Sequence, residues 1–244
     1  MCIILHNPDG RPLNKKQLLT AYSNNPHGHG FMWVEGGQLN AVKGIAKDFD
    51  EIWYLATQLT GFEYTLHLRW RTTGIISKSN CHPFEILNKE QDGLDFSMVH
   101  NGTIFEIPKD PKKSDTQIFS ENLRKRILDK DPEFKLNYLS KIEKKIGKHN
   151  KMVFMTSDNR TFFVNKHLGK MIDGIWHSNT YSLEKGYRNK VVIPRTTMPV
   201  FGETIDYVRG RWVHKRSEMP KWNKTGVKPM SLLNEPIDSN KKTK

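Results

Sequence analysis

Cys2 follows the initiator methionine directly, and removal of Met1, the usual fate of a methionine before a small side chain, leaves it with both a thiol and an α-amine. The α-amine titrates near ~8, so at neutral pH an appreciable fraction can accept the thiol proton without a histidine or carboxylate partner. A thiolate made in this way attacks acyl carbons, and acyl transfer needs further groups. The oxyanion of a tetrahedral intermediate needs two donors, which a side-chain amide beside a glycine N–H supplies without bulk; Asn101-Gly102 has that composition. A free amino acid presents an α-carboxylate and an α-ammonium, for which Arg69 and Asp115 can supply a forked cation and an anion. Plainer readings stand beside each of these. A second-position cysteine can be a small buried apolar residue, Asn-Gly a tight turn, Arg69 a strand-edge charge, and Ser114 or Asp115 the cap of a helix starting at Thr116.

Four further motifs follow Cys2 in order: His67-Leu68-Arg69-Trp70-Arg71-Thr72-Thr73-Gly74, Asn80-Cys81-His82-Pro83-Phe84, His100-Asn101-Gly102 and Ser114-Asp115-Thr116. Together they make residues 1–185 resemble the class II glutamine amidotransferases, a family of N-terminal-nucleophile hydrolases, in a compact single-domain form like those carried by bacteriophages. The resemblance implies an α+β fold, a four-layer αββα sandwich of two mostly antiparallel sheets. It also implies that glutamine or a γ-glutamyl amide is hydrolysed through a Cys2 thioester, releasing ammonia. In that scheme Asn101 and Gly102 form the oxyanion hole, Arg69 takes the substrate carboxylate, Asp115 takes its ammonium, and Thr72 lies near the same pocket. Trp70, His82 and Pro83 shape the pocket wall, and His100 is structural. The segment from Asn24 to Phe31 matches a glycine-rich stretch close to substrate, and Trp176-His177-Ser178-Asn179 a late strand end where Asn179 is a structural hydrogen bonder.

Three positions depart from the family pattern. Ile3 stands for the glycine that commonly follows the nucleophile, and Arg71 and Thr73 for a small residue and a histidine. The details of the substrate stay open on that account. Nothing after residue 190 is long or patterned enough for a synthase domain, so an ammonia acceptor is expected on a separate protein. The rival reading is a catalytically silent binding protein on the same fold, which contacts nucleic acid or an acidic partner through its tail.

The elements that must position these residues are readable from pattern. Residues 2–6 form an apolar run ended by Asn7-Pro8-Asp9-Gly10 and read as a buried strand. Asn14 caps a helix to about residue 22, and residues 48–59 place Ile52, Leu55 and Leu59 on one helical face. Strands at 31–35 and 39–43, split by Gly36-Gly37, make a hairpin. Residues 64–70 and 96–100 are strands that run into polar segments, where sites are built. Amphipathic helices follow at 116–128 and 134–146, then strands at 151–156, 161–165 and 172–177. Strands, two helices and more strands suggest two sheets covered by helices.

A chain of 244 residues with 36% hydrophobic content supports one main core, read as residues 1–190, with a basic extension over 191–244 whose end is disordered. No stretch approaches the apolar length of a signal peptide or membrane helix, and two cysteines are too few for a disulfide framework. A cytoplasmic protein with two reduced thiols is expected. The net charge is +13, and residues 186–244 hold thirteen Lys or Arg against five Asp or Glu. Such an excess favours a polyanionic or acidic partner there, and Tyr207 to Arg216 interleaves aromatic and basic residues as a single-strand-binding surface or a solvated strand would. His27 and His29 have metal-ligand spacing but no third ligand nearby, so neither a metal nor a cofactor is expected.

Overall fold

The computed structural model describes residues 2–130, 141–144, 146–184, 206–208 and 211–213. The chain divides into two compact units, Met1–Tyr187 and Arg188–Lys244. In the second, the described strands Asp206–Val208 and Arg211–Val213 pair antiparallel. Most of the basic extension read from the sequence lies outside the described residues.

The first unit is an α+β sandwich. Its strands are β1 Ile3–Asn7, β2 His29–Glu35, β3 Gln38–Gly44, β4 Tyr64–Leu68, β5 Phe84–Leu87, β6 Phe96–Asn101, β7 Lys151–Thr156, β8 Thr161–Val164, β9 Lys170–Ile172 and β10 Ile175–His177. One sheet runs β3-β2-β4-β1-β10-β9 and the other β5-β6-β7-β8, and neighbouring strands in both pair antiparallel. The helices are α1 Lys15–Asn24, α2 Phe49–Gln58, the short α3 Lys89–Asp92 and α4 Asp115–Lys130.

Alternation along the strands decides the layering. Ile4 and Met32 of the first sheet meet Val99, Val153 and Met155 of the second in one buried cluster. Thr65 and His67 face the same interior, since the Thr65 hydroxyl reaches Met155 Sδ at 3.4 Å and His67 Nε2 reaches the His100 carbonyl at 3.0 Å. Their neighbours in sequence face the other way. Phe31 packs on Tyr64 with ring centroids 6.1 Å apart, and His29 lies 3.7 Å from Glu51 of α2, so α2 covers the outer face. On the far side, Leu123 and Ile127 of α4, with Ile142 and Ile146, pack on Phe96, Met98, Met152 and Phe154. Phe96 and Phe154 stack at 5.4 Å, a geometry that adds about 1 kcal/mol to what area burial contributes. The four layers expected from the sequence are these. No helix among the described residues is long and apolar enough to cross a membrane.

Local chemistry explains the element ends. The Asn14 side chain accepts from the Lys16 and Gln17 N–H groups, and Asp48 accepts from Glu51 N–H. Gly36 and Gly37 take φ of +59° and +72°, the left-handed pair that a two-residue hairpin of this type requires. The strand expected at 172–177 is in fact two, β9 and β10, because Asp173 and Gly174 also take positive φ, +52° and +80°, and reverse the chain. Strand β5 follows the cis His82-Pro83 peptide and was not expected. Residues 134–140 and 145 of the expected second helix lie outside the described residues, whereas Ile142 and Ile146 occupy its apolar face as read.

Candidate active site

Parity along β1 and β4 puts Cys2 and Arg69, just beyond the strand ends, on the face that looks between the sheets. The Cys2 thiol is buried against the Trp70 peptide. It donates to the Trp70 carbonyl at 3.4 Å, and the Trp70 N–H donates to Sγ at 3.3 Å. Asn179 fixes the other side of the residue, donating from Nδ2 to the Cys2 carbonyl at 2.8 Å. Burial pushes the Cys2 thiol up, against the opposing pull of the Trp70 peptide N–H and the Arg69 charge; the Asp115 charge adds to the rise. At neutral pH the resting group is therefore a thiol, and attack on a carbonyl requires a base beside it.

Arg69 is 3% exposed and donates from Nη1 to the Ile75 carbonyl and from Nη2 to the Thr73 carbonyl, both at 3.0 Å. It thus pins the loop after β4 while using two of its five N–H donors, leaving capacity for a carboxylate. Asp115 closes the other side of that loop. Its Oδ1 accepts from the Thr73 hydroxyl at 3.0 Å and its Oδ2 from the Ile104 N–H at 2.6 Å. Ser114, not Asp115, caps α4, accepting from Gln117 N–H at 3.1 Å, so the carboxylate of Asp115 is available to the site. Thr73, one of the departures from the family pattern, makes the link to Asp115, while Thr72 is exposed.

Asn101, 2% exposed, ends β6 and donates from its side chain to the Ser178 hydroxyl at 2.8 Å. Gly102 takes φ of +153°, and a Cβ there would sit 2.1 Å from Asn150 Oδ1 and 2.9 Å from His100 Nε2. Only glycine fits, because His100 itself is held by Thr116 Oγ1 and Asn150 Oδ1 at 2.8 Å each. The segment from Asn24 to Phe31 owes its glycines to close packing. A Cβ on Gly30 would lie 1.7 Å from the His82 carbonyl oxygen, and one on Gly28 would lie 2.4 Å from Cys81 Sγ.

The Trp70 ring lies tilted against that of His27 at 4.4 Å, and the His27 Nδ1 accepts from Arg71 N–H at 3.0 Å, which fixes the very peptide whose carbonyl accepts from the Cys2 thiol. His82 is buried, its ring 3.9 Å from that of His67 and both ring nitrogens without a hydrogen-bond partner. Burial, with the nearby histidines and Arg69, holds His82 well below the usual histidine range, and burial lowers His67 to about 3. Among the described residues no group of three or more His, Cys, Asp or Glu could hold a metal ion.

The site thus gathers Cys2, Arg69, Trp70 and Asp115, with Asn101 joined through Ser178; Thr72 and His82 make no hydrogen bond to that group. Two organising residues escaped the reading of the sequence. Asn80 accepts from Ser114 N–H at 2.6 Å and donates to the carbonyls of Ile75, at 3.2 Å, and Lys112, at 2.6 Å, so one buried amide ties the loop after β4 to the one before α4. Ser178 accepts from Ile4 N–H at 2.8 Å as well as from Asn101. Both residues lie in motifs already quoted, but polar residues in loops carry no periodic signal that assigns them a partner.

No family model and no curated protein matches the sequence. Among solved structures, the chain is similar over 75% of its length to glutamine phosphoribosylpyrophosphate amidotransferase from B. subtilis in complex with ADP and GMP, at 16% identity and a TM-score of 0.45. It is similar over 74% of its length to the allosteric regulatory enzyme of purine biosynthesis, at 16% identity and a TM-score of 0.44. The chain spans 42% of the length of each of these proteins.

Proposed function

We propose that this protein is a glutamine amidotransferase-type amidohydrolase in which Cys2, with everything preceding it removed, is the nucleophile. The observation that carries the reading is the setting of the thiol: Sγ lies against the Trp70 peptide with Arg69 and Asp115 as charged neighbours, and no acidic pKa makes it a standing thiolate. A free α-amine on Cys2 supplies the missing base. In the proposed sequence the amine takes the thiol proton as sulfur attacks the γ-carboxamide carbon, and Asn101 Nδ2 with the Gly102 N–H stabilises the oxyanion. The ammonium then returns its proton to the departing nitrogen, and ammonia leaves a γ-glutamyl thioester. Water, deprotonated by the same amine, cleaves the thioester to glutamate and regenerates the thiol. Arg69 and Asp115 hold the α-carboxylate and α-ammonium of the substrate. Residues 1–190 form the catalytic domain and 191–244 a basic extension in this reading.

Intact mass before and after 6-diazo-5-oxo-norleucine, with Cys2→Ala as control, tests the proposal. A mass beginning at Cys2, one adduct that requires Cys2, and glutamine-dependent ammonia release support it. A chain beginning at Cys2 that takes no adduct refutes it. That outcome favours the silent binding protein, whose affinity for polyanions would fall steeply with salt and vanish on truncation near Arg195.

A further inference from the structure

We propose that Ser178 is the residue that positions the Asn101 carboxamide relative to Cys2, an assignment that rests on the amidohydrolase reading above. Asn101 ends a strand of one sheet and Cys2 precedes a strand of the other. Whatever aligns them must cross between the sheets, and the Ser178 hydroxyl does. Its oxygen accepts from Asn101 Nδ2 and from Ile4 N–H, both at 2.8 Å. The Ser178 N–H donates back to the Ile4 carbonyl at 2.9 Å, and the adjoining Asn179 holds the Cys2 carbonyl at 2.8 Å. One dipeptide therefore grips the nucleophile's strand at three points and the amide at a fourth.

The arrangement gives Ser178 particular leverage over Asn101. Asn101 Oδ1 is buried with no hydrogen-bond partner, so the plane of the carboxamide is set from its nitrogen side. One Nδ2 hydrogen goes to Ser178, and a primary amide nitrogen carries a second, which is the donor an oxyanion would use. Ser178 is wholly buried, so water cannot replace its hydroxyl without a cavity opening for it. Removing the hydroxyl leaves the amide to turn about its last torsion, which is soft for asparagine.

Ser178→Ala removes the hydroxyl and Ser178→Thr retains it. The first readout needs no turnover: the side-chain amide resonances of Asn101 in nitrogen-15-labelled protein, identified by their absence in Asn101→Ala. Ser178→Ala should move these resonances and speed their solvent exchange by about tenfold or more, and Ser178→Thr should restore them. Unchanged Asn101 resonances in Ser178→Ala overturn the assignment. The second readout separates positioning from general support of β1. Turnover of glutamine should fall about tenfold or more in kcat, with KM and the rate of Cys2 alkylation by iodoacetamide, which forms no oxyanion, within about twofold. Alkylation and turnover falling together would mean that Ser178 only holds the strand. A wild-type protein that hydrolyses no glutamine defeats the amidohydrolase reading, and the resonances still decide whether Ser178 orients Asn101.

Discussion

Lowering the pH from 7 to 5 charges histidine in an unfolded chain but leaves His6, His29 and His67 neutral in the folded one. Burial lowers His6 and His29 to about 4 and His67 to about 3, against a reference of 6.5. The sign follows from proton counting. The folded state binds fewer protons than the unfolded state throughout this window, so stability falls as pH drops below 6.5 and goes on falling until the folded-state values are reached. At about 1.4 kcal/mol per pH unit, each such histidine loses about 2 kcal/mol between pH 7 and 5, and the three together about 6 kcal/mol. That is comparable with the ~5–15 kcal/mol by which domains are stable. His82 acts in the same direction. Glu63 lies 3.6 Å from His6 and Glu51 3.7 Å from His29, and either carboxylate can soften its partner's cost, so His67, whose ring lies 3.9 Å from that of His82, is the cleanest probe. Asp92 and Asp158, held below the carboxylate range by hydrogen bonds, lose their contribution only below about pH 4, outside the window. Urea unfolding at pH 7, 6 and 5 measures the loss. In His67→Gln, which keeps a donor for the His100 carbonyl, the pH-dependent part should shrink by about 2 kcal/mol. A change of less than about 1 kcal/mol between pH 7 and 5, or an identical pH dependence in His67→Gln, would refute the reasoning.

Three further substitutions follow from the geometry. Gly30→Ala forces a Cβ to 1.7 Å from the His82 carbonyl, where both sides are backbone, and should cost more than about 3 kcal/mol in denaturant unfolding; a loss under about 1 kcal/mol would show that the loop moves aside. Gly36→Ala meets open space at φ +59° and should cost only the left-handed strain of about 1–2 kcal/mol by the same measurement. Asp115→Asn keeps an acceptor for the Ile104 N–H but removes the charge, so kcat/KM for glutamine should drop about 10- to 100-fold with the melting temperature nearly unchanged. Equal kinetics in that variant would remove Asp115 from the substrate site.

Much of the scaffold was legible in the sequence because it is written in short-range terms. Asn14 and Asp48 announce helix starts, Gly36-Gly37 a turn that needs two positive φ angles, and Leu123 with Ile127 a helical face, since each depends on residues within a turn or two. Where local signals compete, the reading failed. The apolar residues on either side of Asp173-Gly174 read as one strand, although the dipeptide itself is a turn signal and the chain reverses there.

The candidate site divides along the same line. That Cys2, Arg69, Asn101 and Asp115 have the chemistry for an amide substrate is a property of residue types, visible before folding. Which of them meet, and through whom, is a property of the packed sheets. Thr73 rather than Thr72 reaches Asp115, Ser114 rather than Asp115 caps α4, and Asn101 finds Ser178 across 77 positions of sequence. Periodicity assigns a side chain to a face of its own strand or helix. Its partner on another sheet is chosen by register and by the distance at which two sheets close on each other, and no local pattern encodes either.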